Sequence, residues 1–411
     1  MAGAWVKVNT QMSSRAQSSG VEGPHEQPCV RRGLGGRWAS IGITILLGLF
    51  LATASAEDAP TPERVDVFVS GENGYHSYRI PALITAPNGD LLVFCEARKI
   101  NRSDDGDIDL LQKRSRDLGK TWLPQELIYE EGGEAEIKYG NPTPVVDRET
   151  GVIWLAVNRD HLLENGARAG GTLVLFKSDD SGASWSEPIE ITNSIKEPDW
   201  GHYAFGPGIG IQIQHGEHAG RLVLPANFRR SFNKREPSWS HVIISDDHGK
   251  TWKLGGVCGD FTNECQVAEI IEDGKPGLLI NMRNHWGRGG FPEKSGNRLA
   301  ARSFDGGETW SAEAMDPALP EPPCQASLYR VSFEPSVLLF ANPGGSGRSN
   351  LKVRLSDDEG RTWSASKVLE TGSAAYSCMT NLPDGRCGIV YERNNYGQIS
   401  FAAFSIDWLK N

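Results

Sequence analysis

No segment of this 411-residue chain offers the roughly 20 apolar residues of a comfortable membrane-spanning helix; the apolar stretch from Ile41 to Thr53 falls short. After residue 56 no long stretch repeats its apolar positions every 3.6 residues, which excludes a helical core. Positive charge is in deficit, with 42 Lys and Arg against 52 Asp and Glu and a net charge of -10. That balance argues against nucleic-acid binding through phosphate neutralisation. It leaves room for an anionic substrate, because a few convergent arginines can dominate the field inside one cleft. Cysteine is sparse at 7, and Cys and His show no metal-ligand spacing. No metal and no cofactor is expected.

What the chain does have is glycine, 47 residues, and proline, 23, set between short β-branched and aromatic runs. Turn clusters alternating with such runs predict an all-β protein. The N-terminus reads as a targeting segment. Arg31, Arg32 and Arg37 precede the apolar stretch, and Ala54-Ser55-Ala56 fits a small-residue cleavage site. Residues 1–56 are therefore expected to be a signal peptide, with a mature start near Glu57; a start at Met12 or retention as an N-terminal anchor are the alternatives. Export would be to the periplasm or exterior, or to the lysosome in a eukaryote. Removing Cys29 with the leader leaves six cysteines, an even number that permits disulfides. Cys378 and Cys387 flank the turn Leu-Pro-Asp-Gly and offer a cross-hairpin pair, whereas Cys95 in Leu-Leu-Val-Phe-Cys reads as a buried free thiol.

The strongest organisational signal is a repeat. Ser-x-Asp-x-Gly-x-Thr/Ser-Trp occurs five times, with its aspartates at Asp117, Asp180, Asp247, Asp305 and Asp358. The spacing, 53 to 67 residues, is about one four-stranded blade plus loops. Asp and Ser side chains can bond the backbone of a tight turn, Gly supplies a left-handed position, and Trp covers the hairpin. A turn is needed once per blade and a catalytic group only once, so these aspartates read as structural. The predicted fold is a six-bladed β-propeller of four-stranded antiparallel blades over 57–411, one blade lacking a box. The strand Gly397 to Phe404 is expected to close the ring beside early strands, removing exposed edges.

Other motifs do not repeat. In order they are Tyr78-Arg79-Ile80-Pro81, Glu96-Ala97-Arg98, Ser103-Asp104-Asp105-Gly106-Asp107, Asn263-Glu264-Cys265-Gln266 and Asn281-Met282-Arg283-Asn284. Asn342-Pro343, Arg348, Ser373-Ala374-Ala375-Tyr376-Ser377 and Tyr391-Glu392-Arg393 follow. With the boxes, this order resembles the sialidase (neuraminidase) superfamily, specifically its bacterial and lysosomal-type exo-α-sialidases, over essentially the whole chain after the leader. The resemblance implies a triad, Arg79, Arg283 and Arg348, that clamps the substrate carboxylate, with Arg98 close to the same pocket. It implies Tyr376 as nucleophile, Glu264 as its partner carboxylate, Asp104 as general acid/base and Glu392 as the acid that holds Arg79. Asp104 is preferred to Asp105 and Asp107 because it follows Ser103.

These residue types suit the chemistry. Sialic acid carries a carboxylate on its anomeric carbon, so a carboxylate nucleophile would meet like-charge repulsion that a neutral phenol avoids. Sialidases accordingly depart from the two-carboxylate scheme of most glycosidases. Guanidinium forks grip a carboxylate in a planar geometry that lysine lacks. Taken singly, each arginine would read as an ion-pair partner, Tyr376 as core and Glu264 as a strand-end carboxylate. Arg114, Arg302 and Arg354 precede boxes at similar offsets and read as blade features. His202, His241 and His285 show no nucleophile–acid arrangement and are expected in packing or surface roles, and Gly206 to Gly210 reads as a turn into a strand, lacking the Lys and helix of a phosphate loop. The implied partners are sialylated glycoproteins, gangliosides and oligosaccharides, with a membrane only through an uncleaved leader. A trans-sialidase and a non-catalytic sialic-acid-binding propeller are the alternatives; a binder would need the arginines but not Tyr376, Glu264 and Asp104 together.

Overall fold

A computed structural model describes residues 62–133, 136–161 and 171–411; the leader and its expected cleavage site lie outside the described residues. Short β-branched runs between turn clusters form strands, and nearly every described element is one. The helical pieces are brief: Thr192–Ile195, a 3-10 turn at Pro292–Lys294, and Ile406–Lys410. No described helix is long and apolar enough to cross a membrane.

Among the described residues the strands form four sheets, each running largely in chain order. The first has eight strands and holds Ser77–Thr85, Leu91–Arg98, Ile108–Ser115 and Glu126–Tyr129, then Ile137–Val146, Ile153–His161, Thr172–Ser178 and Ile189–Glu190. Its two halves meet only through the bridge Ile108 to Lys138, the one parallel pairing among the described strands. The second, of five, runs from His202–Phe205 to Lys253–Val257, and the third, of four, from Thr262–Glu272 to Ala314–Pro320. The seven-stranded last sheet runs from Ser327–Ser332 through the long strand Ala365–Asn381 to Gln398–Phe404, which pairs with Arg64–Val69 from the start of the described chain. The predicted closing strand thus does join first to last, and the nearly all-β meander is consistent with a β-propeller.

The five boxes are turn devices. In each, the Ser hydroxyl bonds the Asp and receives the Gly N–H, while the Asp carboxylate takes the Thr or Ser backbone N–H and hydroxyl; in the first, Thr121 reaches Asp117 at 2.9 and 2.6 Å. The same set recurs at Asp180, Asp247, Asp305 and Asp358. The box glycine also permits close docking. A Cβ on Gly119 would stand 2.0 Å from the Phe401 ring of the closing strand, and one on Gly182 would stand 2.5 Å from Leu92. The tryptophans reach further than a hairpin cover: Trp122 packs edge-on against Phe401, and Trp185 donates to Gln112 on strand Ile108–Ser115. Each box is therefore a clasp between neighbouring strand groups.

The cross-hairpin disulfide does not form. Cys378 pairs with Val390 and Cys387 with Asn381, three positions along the ladder, so strand alternation puts their side chains on opposite faces. Cys378 joins one apolar cluster and Cys387 another, and both are free. Cys95 is buried and free, as expected.

Candidate active site

Strands from three of the sheets converge on one cleft of 200 Å³: Arg79 from Ser77–Thr85, Asn141 from Ile137–Val146, Glu264 from Thr262–Glu272 and Tyr376 from Ala365–Asn381. At each of these points the strand breaks register with its neighbour: between Arg79 and Ala82, Gly140 and Thr143, Thr262 and Cys265, and Ala374 and Ser377. Ile80 and Asn141 take left-handed φ values of 59° and 55° there. Such bulges re-aim side chains that regular alternation would send elsewhere. A larger cavity of 480 Å³ lies along the opposite ends of the same strands, at Thr85, Val146 and Asn381. Of the charged residues that line it, Glu269 is committed to the backbone of Gln214 and His215, and Arg330 to Glu359. The convergence of ionisable groups is in the smaller cleft.

On the cleft floor the Tyr376 hydroxyl donates to Glu264 Oε1, while Arg283 Nη1 donates to Glu264 Oε2 at 2.6 Å and to Tyr376 Oη at 3.3 Å. Burial and the Glu264 carboxylate push the Tyr376 phenol well above its ordinary range, so it stays protonated. Burial pushes Glu264 up too, but Arg283, the Tyr376 hydroxyl and Arg348 outweigh it and hold the carboxylate low. The pair is thus a neutral phenol beside an ionised acceptor.

Arg79 sits on Glu392, with Nε to Oε1 at 2.6 Å and Nη2 to Oε2 at 3.3 Å. Glu392 is fully buried and also receives the backbone N–H groups of Ile80 at 2.9 Å and Tyr376 at 3.2 Å. One carboxylate therefore fixes both the first arginine and the backbone of the tyrosine. Arg348 approaches from the loop before Ser349–Ser356, donating to Tyr396 Oη and to the Pro323 carbonyl, each at 3.1 Å. Its guanidinium lies 5.4 Å from the Tyr376 ring centre, and that of Arg79 lies 5.5 Å away.

Asp104 stands across the cleft on an exposed loop, its side chain 65% accessible, and meets Arg98 Nη2 at 3.1 Å. What burial it has raises its pKa, but Arg98, Lys138 and Arg79 more than offset this and hold it at about 2. Arg98 is itself locked onto the buried Glu96 at 2.6 Å. Every site residue read from the sequence lines this cleft or, in the case of Glu392, lies directly behind it.

Sequence reasoning missed several lining residues. Lys138, Asn158, Asp160 and Arg288 sit in strands or loops without a motif. His202 and His285 also line the cleft; His285 is buried there, and burial and then Arg283 push it well below its ordinary range, so it is neutral. His241 packs as expected, against Tyr203 and Phe228. The excluded arginines bind elsewhere: Arg114 to Asp90, Arg302 to Glu272 and Arg354 to Asn342.

Residues 89–389 match the BNR repeat-like domain family. The sialidase of Micromonospora viridifaciens is 34% identical, over 84% of this chain and 54% of its own length. The sialidase of Bacteroides fragilis is also 34% identical, over 83% of this chain and 64% of its own length. The chain thus spans between half and two-thirds of these two relatives. Among solved structures, a Hadza microbial sialidase superposes with a TM-score of 0.74 at 32% identity, over 84% of this chain and 69% of that one. A family match across most of the sheets, together with relatives at a third identity, carries a conclusion beyond shared fold: this chain belongs to the sialidase family, in its BNR-repeat group.

Proposed function

We propose that the protein is an exo-α-sialidase that releases terminal α-linked sialic acid from glycoproteins, gangliosides or oligosaccharides with retention of configuration. The observation that carries this reading is the Tyr376–Glu264 hydrogen bond, with Arg283 on the same carboxylate, lying between Arg79 and Arg348. The three guanidiniums bind the substrate carboxylate and offset its charge. Tyr376 Oη attacks the anomeric carbon as Glu264 takes its proton, and Asp104 protonates the departing glycosidic oxygen. In the second half, Asp104 takes a proton from water as the water oxygen displaces Tyr376, whose phenolate recovers its proton from Glu264. Two inversions give net retention. Asp104 is ionised in the free protein; a bound substrate that excludes water and brings its own carboxylate raises it toward the acid form. A binding module would need the arginines but not this tyrosine–glutamate pair.

The sheets read as six four-stranded blades, divided at the single Ile108–Lys138 bridge and along Ala365–Asn381, with His202–Phe205 and Ile211–Gln212, which both pair with Leu222–Arg229, counted as one interrupted strand. The sixth ends not in a box but in the helix Ile406–Lys410, capped by the Ser405 hydroxyl, with Trp408 packed on Phe404. The basic-then-apolar leader supports export to a compartment where sialylated glycans occur.

The test is release of a fluorescent aglycone from an α-sialoside compared with neutral glycosides. Turnover of the sialoside alone is expected; turnover of a neutral sugar alone would overturn the reading.

A further inference from the structure

The acid/base loop is held by a cation that no motif announces. Lys138 Nζ donates to the Asp104 carbonyl at 3.0 Å and lies 3.4 Å from Glu96 Oε1. Its side chain is only 12% exposed and Glu96 is fully buried. Arg98 also ties the loop, donating to the Arg102 carbonyl at 2.6 Å and to Asp104 Oδ1 at 3.1 Å. Arg98 is anchored on Glu96 Oε2. The exposed loop is thus gripped by two cations that share one buried carboxylate, a different oxygen each.

The fold makes room for this arrangement. A Cβ at Gly140 would stand 2.1 Å from the Lys138 side chain and 2.5 Å from Glu96 Oε1. The register break that follows turns the Asn141 N–H onto the same Glu96 oxygen at 3.0 Å. Only glycine at position 140 lets the lysine stem lie flat beside the carboxylate. Lys138 carries its charge into this slot although burial disfavours it, so its pairing with Glu96 and the loop carbonyl must compensate.

We infer that Lys138 is a positioning residue for the general acid: seated on Glu96 in the slot left by Gly140, it fixes the loop that aims Asp104 at the leaving oxygen. The inference rests on the sialidase reading above and adds a residue to it. Lys138 has no part in the arginine clamp or at the nucleophile, so its removal should harm only the protonation of the leaving group. That effect depends on the leaving group. A phenolate-type aglycone departs with little proton help, whereas a sugar alkoxide needs it.

The test compares Lys138→Met with wild type on two substrates, an aryl α-sialoside with an acidic phenol and 3′-sialyllactose, read as kcat/KM. That constant reports steps through formation of the sialyl-enzyme and not its hydrolysis. Sialyllactose is expected to lose on the order of tenfold or more, a fraction of what a general acid contributes, while the aryl substrate loses less than about twofold. Gly140→Ala, which pushes the stem out of its slot, should show the same selectivity. The ratio of the two constants is independent of the folded fraction, so a loss of stability cannot imitate the effect. Equal losses on both substrates, or no loss on either, would overturn the inference. A wild-type protein inactive on both would instead overturn the sialidase reading.

Discussion

Replacing Glu392 by Gln tests how much of the clamp depends on one buried carboxylate. The change keeps shape and volume but removes the charge opposite Arg79, whose side chain is only 9% exposed and has Glu392 at 2.6 Å. Breaking a buried pair by removing one partner costs about 3–5 kcal/mol. Glutamine retains one carbonyl oxygen for the N–H groups of Arg79, Ile80 or Tyr376, so the loss should fall near the lower bound, about 3 kcal/mol. At roughly 2–4 °C per kcal/mol for large domains, melting should fall by roughly 6–12 °C. Activity should fall further than stability explains. Both Arg79 and the Tyr376 backbone lose their shared anchor, and a displacement of about 1 Å at the reacting centre can cost on the order of 100-fold, or about 2.7 kcal/mol. The assay is kcat/KM per folded molecule at a temperature well below melting, with Glu370→Gln as control. Glu370 is also buried, but its partner Arg64 is 48% exposed and keeps water as an alternative, so this variant should lose at most about 1 kcal/mol and keep wild-type kcat/KM. Wild-type kcat/KM in Glu392→Gln, or equal kinetic losses in the two variants, would refute the reasoning.

Arg348→Lys keeps the charge but loses the planar fork set by Tyr396 and Pro323, and should raise the transition-state barrier by about 2 kcal/mol or more, whereas Arg354→Lys should mainly lower the melting temperature. Equal kinetic effects would show that Arg348 is not part of the clamp. Asp247→Ala should melt earlier while the folded protein keeps its activity, because the carboxylate serves Thr251 and Ser245 in a turn; a variant of unchanged stability without activity would refute that role. The box carboxylates also set an acid limit. Hydrogen bonds from Thr121 hold Asp117, and those from Ser184 hold Asp180, at about 2 against an ordinary value of 3.8. Burial raises Asp247, Asp305 and Asp358, but their Thr hydrogen bonds outweigh it, and all three are also lowered. Groups depressed in the folded state stabilise it fully above their unfolded pKa and lose this effect as pH falls through the folded one. The melting temperature should therefore drop between about pH 4 and pH 2, and less steeply in Asp247→Ala.

The repeat was legible because its chemistry is local: Ser, Asp, Gly and Thr bond one another within four residues, so the turn is written in consecutive letters. Closure through Gln398–Phe404 followed from the need to hide an edge. The clamp is different. Arg79 and Glu392 are 313 residues apart, and nothing in either segment specifies the other; their pairing was reached only through family resemblance. Lys138 escaped notice because it is an ordinary residue in a strand, given meaning only by a register break and by Gly140. The Cys378–Cys387 pairing failed on parity: a hairpin brings residues close along the chain, but the pleat puts these two on opposite faces. That His285 packs beside the cleft was not legible, because the sequence cannot show that strand Lys275–Asn284 ends there.

The proposed mechanism stands or falls on Tyr376 as the nucleophile. Incubation with a 3-fluorosialyl fluoride, whose fluorine slows release of the sialyl-enzyme, followed by proteolysis and mass spectrometry, tests it most directly. The expected result is one sialyl label per molecule, on the peptide that contains Tyr376, and none in Tyr376→Phe. A label on Glu264 or Asp104 instead, or undiminished turnover by Tyr376→Phe, would contradict it.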